Sequence, residues 1–213
     1  MITSGSTTEM LLLTSGPGPY TTFAPGPGGF VVGPDADGIT HTYATNGTPI
    51  AGGNVYHGLA NVFLGTGAFV FTYDGASTEL HRQPLVGNTN DQLVATHLDA
   101  PSSLVTIANS IYAIVGGNAV VEAPINNPAV DDTVGGGLHR IATFGSGGGL
   151  LVADDHGGLV LWTQKTGTFT RIDVTSGAQT SLKSGVNGVT SLAAQGTSVF
   201  FTTVAGDVMR LTY

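Results

Sequence analysis

The chain has 213 residues, 33 of them glycine, with a formal net charge of −8 and no cysteine. A hydrophobic content of 41% excludes a polar disordered chain, and the lack of cysteine excludes disulfides, zinc–thiolate sites and iron–sulfur clusters. The six lysines and arginines are scattered, which argues against nucleic acid as a partner because phosphate contacts need clustered positive charge.

The start of the chain shows no targeting signal. Residues 1–13 have no basic region, and their run of three leucines is too short for a signal peptide or a membrane span. The low lysine content and the abundant glycine and threonine are typical of exported proteins. We therefore predict an extracellular or periplasmic protein without a membrane span, whose signal peptide is not present in this chain.

Short apolar runs along the chain alternate with glycine, asparagine, aspartate or proline, a pattern typical of strands and turns. Five segments can be aligned as repeats. In each repeat, an apolar residue of the first predicted strand is followed 9 or 10 residues later by a residue of the second strand. In chain order, these pairs are Phe23 and Val32, Val62 and Phe71, Leu104 and Ala113, Val152 and Trp162, and Leu192 and Phe201.

The repeats account for the whole chain. Their first-strand residues lie 39, 42, 48 and 40 residues apart, and the step from Leu192 through the C-terminus back to Phe23 covers 44. The last repeat ends after its third predicted strand. Residues 3–16, TSGSTTEMLLLTSG, resemble the fourth-strand region TSGAQTSLKSG of the fourth repeat. The segment around residues 9–14 is therefore predicted to be the missing fourth strand.

Four-stranded units of this length are typical of propeller blades. We predict an all-β fold, a five-bladed β-propeller of antiparallel blades, as one domain over residues 1–213. An N-terminal strand closes the ring, because a blade buries its faces only against neighbouring blades. The alternatives are a β-sandwich and a fragment of a larger propeller. The blades are predicted at 20–58, 59–101, 102–149, 150–188, and 189–213 together with 1–19.

Three second strands carry an aromatic residue followed by threonine: Phe71-Thr72, Trp162-Thr163 and Phe201-Thr202. Further along, the fourth and fifth repeats contain Phe169-x-Arg171 and Val208-x-Arg210. These repeats resemble the YWTD class of propeller blades, found in lipoprotein-receptor-type and bacterial extracytoplasmic proteins. The first and third repeats lack the aromatic residue, the aspartate of the signature is missing, and members of the class usually have six blades. The resemblance implies a blade type and carries no catalytic residues.

The candidate ligand-binding residues lie in loops. In a propeller, the loops from second to third strands and the loops between blades surround one end of the central channel. Carboxylates, amides and aromatic rings in such loops suit sugar hydroxyls, a cation or a basic peptide, although aspartate and asparagine also stabilise hairpin turns. The candidates are Tyr20, Asp35, Asp37, His57, Tyr73, Asp74, Asp99, Asn118, Lys165, Asn187 and Asp207.

Two acidic motifs invite a metal interpretation. Asp35-Ala36-Asp37-Gly38 resembles the start of a calcium loop, but no glutamate occupies its twelfth position. Asp154-Asp155-His156 is the densest polar cluster, and its place between a first and a second strand predicts a solvated turn on the opposite face. No metal or other cofactor is predicted.

Catalytic groups are also missing from the predicted channel. The predicted innermost strands contain no aspartate or glutamate, and no G-x-S-x-G nucleophile elbow occurs. We predict a monomeric, non-enzymatic module whose partner is a carbohydrate or protein ligand. One alternative is a hydrolase or lyase that acts at the channel mouth through Asp35, His57, Asp99 or Asp207. The other is a structural domain of a larger surface protein.

Overall fold

The fold is all-β in the part of the chain that the structure, a computed structural model, describes. That part comprises residues 22–26, 29–33, 39–44, 48–55, 59–64, 69–74, 77–84, 92–125, 130–131 and 138–213. The predicted closing segment, residues 9–14, lies outside it. Across these described residues, no helix is long and apolar enough to cross a membrane.

The chain divides into two compact units, Met1–His57 and Gly58–Tyr213. The first unit contains sheet I, a four-stranded antiparallel sheet whose strands are ordered as in the sequence. Its strands are β1 (Thr22–Gly26), β2 (Gly29–Gly33), β3 (Ile39–Ala44) and β4 (Pro49–Val55).

The second unit contains four sheets, II to V. Sheet II comprises β5 (Leu59–Leu64), β6 (Phe69–Asp74), β7 (Glu79–Pro84) and β8 (Gln92–Thr96), with the short β12 (Val130–Asp131) parallel to β8. Sheet III comprises β9 (Ser103–Ile107), β10 (Ser110–Val115), β11 (Ala119–Pro124) and β13 (His139–Thr143). Sheet IV comprises β14 (Gly149–Ala153), β15 (Gly158–Thr163), β16 (Thr168–Asp173) and β17 (Gln179–Lys183). Sheet V comprises β18 (Val189–Gln195), β19 (Ser198–Thr203) and β20 (Val208–Thr212).

The predicted pairs of first and second strands are the observed hairpins, with register shifts in two of them. Residues lie directly opposite as predicted in sheets I, III and V, where Leu104 faces Ala113 and Leu192 faces Phe201. In sheet II, Val62 pairs with Thr72 instead of Phe71. In sheet IV, Trp162 pairs with Leu150 instead of Val152, because the hairpin at 154–157 contains additional turn residues.

The sheets of the second unit stack in chain order. Their first strands, β5, β9, β14 and β18, each contact the next one along the chain. Hydrophobic clusters fill the spaces between successive sheets, as alternate side chains of a strand point to opposite faces. Representative members of the three clusters are Leu80 and Val121, Ile114 and Leu159, and Phe169 and Phe201.

Candidate functional site

The turns between second and third strands lie together with the loops between sheets at one end of the second unit, hereafter the loop face. The loop between sheets III and IV contacts the turns on both sides of it: the Gly148 amide donates to the Gly117 carbonyl (3.0 Å), and the Gly148 carbonyl accepts from the Gln164 amide (3.1 Å). The next loop repeats this arrangement. The Val186 amide donates to the Gly167 carbonyl (2.9 Å), and the Gly188 carbonyl accepts from a backbone amide in the turn of sheet V.

Only part of the predicted ligand-binding set can be placed on this face. Asp74 is the last residue of β6, and its side chain lies outside the described part of the structure. Tyr73 is a core residue, 3% exposed, and its hydroxyl donates to the Leu98 carbonyl (2.8 Å). Phe71 and Tyr73 of β6 both belong to the buried cluster between sheets II and III, so Tyr73 is a core residue here and its role as a ligand contact stays a prediction. The predicted residues Tyr20, Asp35, Asp37 and His57 lie outside the described residues.

Asp99 and Asn118 are exposed and meet at one turn. A Cβ atom at Gly116 would lie 3.1 Å from Asp99 Oδ2 and 3.4 Å from Asn118 Oδ1. Gly116 has a φ of +55°, which suits glycine, and its missing side chain lets these two oxygens approach the turn. This pair therefore forms a small polar patch beside sheet III.

Lys165, Asn187 and Asp207 lie around the junction of sheets IV and V, and all three are exposed. A Cβ atom at Gly167 would lie 2.8 Å from Asn187 Oδ1, so the glycine allows the asparagine to lie against the turn. Asp207 follows the turn of sheet V, where its carbonyl accepts from the Thr203 amide (3.1 Å). Lys165 and Asn187 each neighbour in sequence a residue that lines a cavity between sheets IV and V, whereas Asp207 lines another cavity, beside β20. Sequence reasoning did not find the first of these cavities.

This cavity, the loop-face cavity, has a volume of about 240 Å³ and opens between sheets IV and V. Trp162 and Leu150 give it an apolar wall, while Gln164 and Thr190 supply polar atoms. The Trp162 indole nitrogen donates to the Val186 carbonyl (2.9 Å), which fixes the ring. The cavity is lined by Gly149, Leu150, Trp162, Gln164, Gly188, Val189, Thr190 and Val204.

Hydroxyl groups continue from this cavity along the first two strands of sheet V. Thr190 Oγ1 lies 2.7 Å from Thr202 Oγ1, and Ser191 Oγ lies 2.6 Å from the same atom. Sequence reasoning did not identify Trp162 and Gln164 as residues that line a cavity. The available signal was Trp162 itself, the only tryptophan of the chain, beside a turn that had been assigned to the ligand face.

The Asp154 cluster is not the solvated turn that the sequence predicts. The Asp154 side chain is fully buried, and its Oδ2 accepts from Arg171 Nε at 2.7 Å. Its Oδ1 accepts from the amides of Gly158 (2.7 Å) and His156 (2.9 Å). Burial alone would raise the pKa of Asp154, but the hydrogen bonds from Gly158, Arg171 and His156 outweigh it and hold this pKa below its ordinary value. The cluster is a structural ion pair.

A second polar cluster lies in sheet III. Glu122 Oε1 accepts from Ser110 Oγ (2.8 Å) and the Tyr112 hydroxyl (3.0 Å), and Oε2 lies 3.1 Å from His139 Nδ1. Burial, followed by the nearby Glu122 carboxylate, raises the pKa of Tyr112 to about 12. Every oxygen of Glu122 is engaged, so this cluster also stabilises the sheet. Within the described residues, no group of three or more histidines and carboxylates could hold a metal ion.

The sequence matches no protein-family model and no curated protein. The fold, in contrast, resembles solved structures. The computationally designed Ika8 protein is 15% identical, with 91% of this chain and 58% of that chain covered and a TM-score of 0.61. Virginiamycin B lyase from Staphylococcus aureus is 12% identical, with coverage of 95% and 72% and a TM-score of 0.60. A chain of the nidogen/laminin complex is 13% identical, with coverage of 83% and 72% and a TM-score of 0.62.

The similar structures include β-propeller proteins, so the likeness shows a propeller fold. This chain spans less than two thirds of the length of Ika8. At such low identities the likeness extends to the fold alone, and it assigns neither a reaction nor a ligand to this chain.

Proposed function

We propose that the protein is a non-enzymatic binding module that takes a sugar in the loop-face cavity. The observation that supports this proposal is an aromatic wall at Trp162 combined with the polar side chains of Gln164 and Thr190. A sugar ring has an apolar face, which packs against an aromatic ring, and hydroxyl groups, which need hydrogen-bonding partners. A site with one aromatic wall and a few polar side chains suits both. A volume of about 240 Å³ is smaller than a drug-sized pocket and fits one sugar unit.

As part of this proposal, the predicted residues Lys165, Asn187 and Asp207 contribute to the site from neighbouring positions, although Asp207 itself lines the cavity beside β20. Lys165 follows Gln164, Asn187 precedes Gly188, and Asp207 lies in the same turn as Val204. Each of these exposed side chains is next to a residue that lines the cavity or in the same turn as one. They are suited to contact further hydroxyls of a longer saccharide, whereas Asp99 and Asn118 belong to a separate patch beside sheet III.

Trp162 provides a direct test because it is the only tryptophan of the chain. Neutral monosaccharides, namely glucose, galactose, mannose and N-acetylglucosamine, are titrated while the Trp162 emission is recorded. At least one sugar is expected to shift the emission saturably. Gln164→Ala is expected to weaken the binding of that sugar about tenfold, which corresponds to a loss of roughly 1.4 kcal/mol of binding free energy.

The matched control is Gln195→Ala, which removes the same side chain from an exposed position at the other end of sheet V. It should leave the sugar affinity unchanged. A folded protein whose emission responds to none of the four sugars would contradict the proposal, and so would equal effects of the two substitutions.

A protein ligand is the alternative within the binding class. One structural neighbour is described in a complex of nidogen with laminin. A hydrolase or lyase is the alternative outside it, because another neighbour is a lyase. The described candidates give the enzyme less support: Asp99 approaches the turn of sheet III, whereas Asp207 belongs to the turn of sheet V. A structural domain of a larger, extracellular or periplasmic protein is the third proposal.

The finer architecture is part of the same proposal. Five sheets follow each other in the sequence, and the last has three strands among the described residues. The order of the sheets supports a five-bladed ring closed by an N-terminal strand, and we propose in addition that this ring is monomeric. The aromatic–threonine pairs of β15 and β19 support blades of the YWTD type.

A further inference from the structure

Asn187 lies in the loop that joins sheets IV and V, and Gly188 follows it. Its side chain is exposed and makes no hydrogen bond within the described part of the chain. The Oδ1 atom lies against Gly167, where an added Cβ atom would be 2.8 Å away. Asparagine is among the chemically labile residues. This side chain is open to solvent, and no hydrogen bond holds it in one rotamer.

The peptide nitrogen of Gly188 is equally available. It donates no hydrogen bond to any described residue, whereas the carbonyl of the same residue accepts from the Val204 amide at 2.7 Å. Glycine has no Cβ atom, so nothing on Gly188 shields this nitrogen from the side chain before it. Strand β18 begins at Val189, so the nitrogen also lies outside the hydrogen-bonding ladder of sheet V.

We infer that Asn187 is a site of deamidation, a covalent modification that needs only water. The Gly188 nitrogen loses its proton to a solvent base and bonds to Asn187 Cγ, while the Cγ–Nδ2 bond breaks. Nδ2 takes up a solvent proton and leaves as ammonia, and the two residues share a succinimide ring. Water then opens this ring. Attack at Cγ gives aspartate, and attack at the main-chain carbonyl carbon gives isoaspartate, in which the main chain runs through Cγ.

Both products change the loop at the border of the loop-face cavity. Aspartate adds a negative charge next to Gly188, which lines that cavity. Isoaspartate also lengthens the main chain by one carbon atom between Val186 and Gly188. The Val186 carbonyl holds the Trp162 indole and the Gly188 carbonyl holds the Val204 amide, so the extra atom falls between two fixed points. Isoaspartate is therefore expected to displace Trp162.

Asn118 provides a matched control within the same molecule. It is also exposed and also lies in a turn of the loop face, but the next residue is Ala119, the first residue of β11. Ala119 is 3% exposed and pairs with Thr143 of β13. Its Cβ atom and its place in the sheet keep its nitrogen from the asparagine side chain, so Asn118 should react more slowly.

The test follows both asparagines in the full-length, folded protein. The protein is aged at mildly alkaline pH and digested with trypsin, and the peptides are analysed by mass spectrometry. Fragment 184–210 contains Asn187 as its single asparagine, and the other Asn-Gly pair, at 46–47, falls in fragment 1–82. Asn187 is expected to convert severalfold faster than Asn118, with isoaspartate among the products. Asn187→Gln should abolish the early conversion in fragment 184–210, because glutamine closes such a ring more slowly.

Conversion of Asn187 no faster than that of Asn118 would overturn the inference, and so would conversion that begins only after urea is added. The emission of Trp162 gives a second measurement. It should shift with the time course of isoaspartate formation, whereas Asn187→Asp, which has the charge without the longer main chain, should keep the emission of the unmodified protein. Because the modification is measured by mass and without sugar, it can fail independently of the proposed function.

Discussion

Sheets IV and V are similar in sequence and different in burial. In sheet IV, every residue of β15 is buried, including Leu159 and Val160, which point to opposite faces. In sheet V, Val208 is 75% exposed and Met209 is 48% exposed. In both sheets the second strand carries an aromatic residue followed by threonine, Trp162-Thr163 in β15 and Phe201-Thr202 in β19, so this shared pattern does not account for the difference.

The difference arises from what each sheet packs against. Sheet IV lies between sheets III and V, and the clusters on both of its faces contain fully buried residues. The face of sheet V that meets sheet IV is buried at Val199 and Phe201, while its other face carries Val208. In stacked sheets, stability is a sum of neighbour interfaces, so equivalent substitutions should cost more in sheet IV than in sheet V.

The largest expected effect tests this difference with one residue type. Leu159→Ala in β15 removes a fully buried side chain between sheets III and IV and is expected to lower the free energy of unfolding by about 3–5 kcal/mol. Leu192→Ala in β18 changes a partly buried side chain and is expected to cost about half as much. Urea denaturation followed by Trp162 emission measures both. Equal losses would mean that sheet V is covered as fully as sheet IV.

The second effect concerns the polar end of sheet IV. Asp154→Asn leaves Arg171, whose side chain is about a quarter exposed, without its charged partner. Removing one member of a buried ion pair is costly, and the partial exposure of Arg171 reduces the penalty, so a loss of about 2–3 kcal/mol is expected. Asp173→Asn is the control, because Asp173 accepts hydrogen bonds from the Thr175 and Ser176 amides and the Ser176 hydroxyl in its own turn and makes no ion pair with Arg171 at contact distance. A loss as small as that of the control would show that the pair contributes nothing.

The same ion pair predicts a pH dependence. The pKa of Asp154 is lower in the folded chain than in the unfolded chain, where it is about 3.9. Its stabilisation is therefore complete above that unfolded value and is lost as the pH falls through the folded value. Unfolding free energies measured from pH 7 to pH 3 should fall at the acidic end. The fall should be smaller in Asp154→Asn, and identical curves for the two proteins would contradict this assignment.

The ion pair also shows what the sequence could and could not predict. The opposed positions of Leu104 and Ala113 follow from hydrophobic alternation, which is a local signal, and they were predicted correctly. The burial of Asp154 depends on Arg171, two strands away. The sequence shows only three adjacent polar residues in a turn, so nothing local distinguishes this carboxylate from an exposed one.

The proposed ligand site was predictable from the sequence only in part, as the ion pair was. The loops that carry Lys165, Asn187 and Asp207 were predicted to share one face, and in the second unit such loops are hydrogen-bonded to each other. The cavity was not predicted, because it exists only where sheet IV meets sheet V. Its aromatic wall, Trp162, was identified from sequence as a strand residue, and its place beside a cavity depends on the neighbouring sheet, which supplies Val189, Thr190 and Val204.

The smallest expected effect lies at the junction of the two sheets, where two glycines share one loop. Gly185 and Gly188 have φ values of +76° and +68°. A Cβ atom would meet nothing within 4 Å at Gly185, but at Gly188 it would lie 2.7 Å from Val204 Cγ2. Alanine in this backbone conformation costs about 1 kcal/mol by itself. Gly185→Ala is therefore expected to lose about 1 kcal/mol of unfolding free energy and Gly188→Ala about 2 kcal/mol.

The difference between the two alanine variants isolates the contact between the sheets, since the backbone cost is common to both. Adding Val204→Ala to Gly188→Ala removes the methyl group that the new Cβ atom would meet. The double variant should then lose only as much unfolding free energy as Gly185→Ala does. Because Val204 is 79% exposed, its own replacement costs little. If the double variant stays at the lower stability, the crowding at Gly188 involves the backbone of the sheet V turn instead of this side chain.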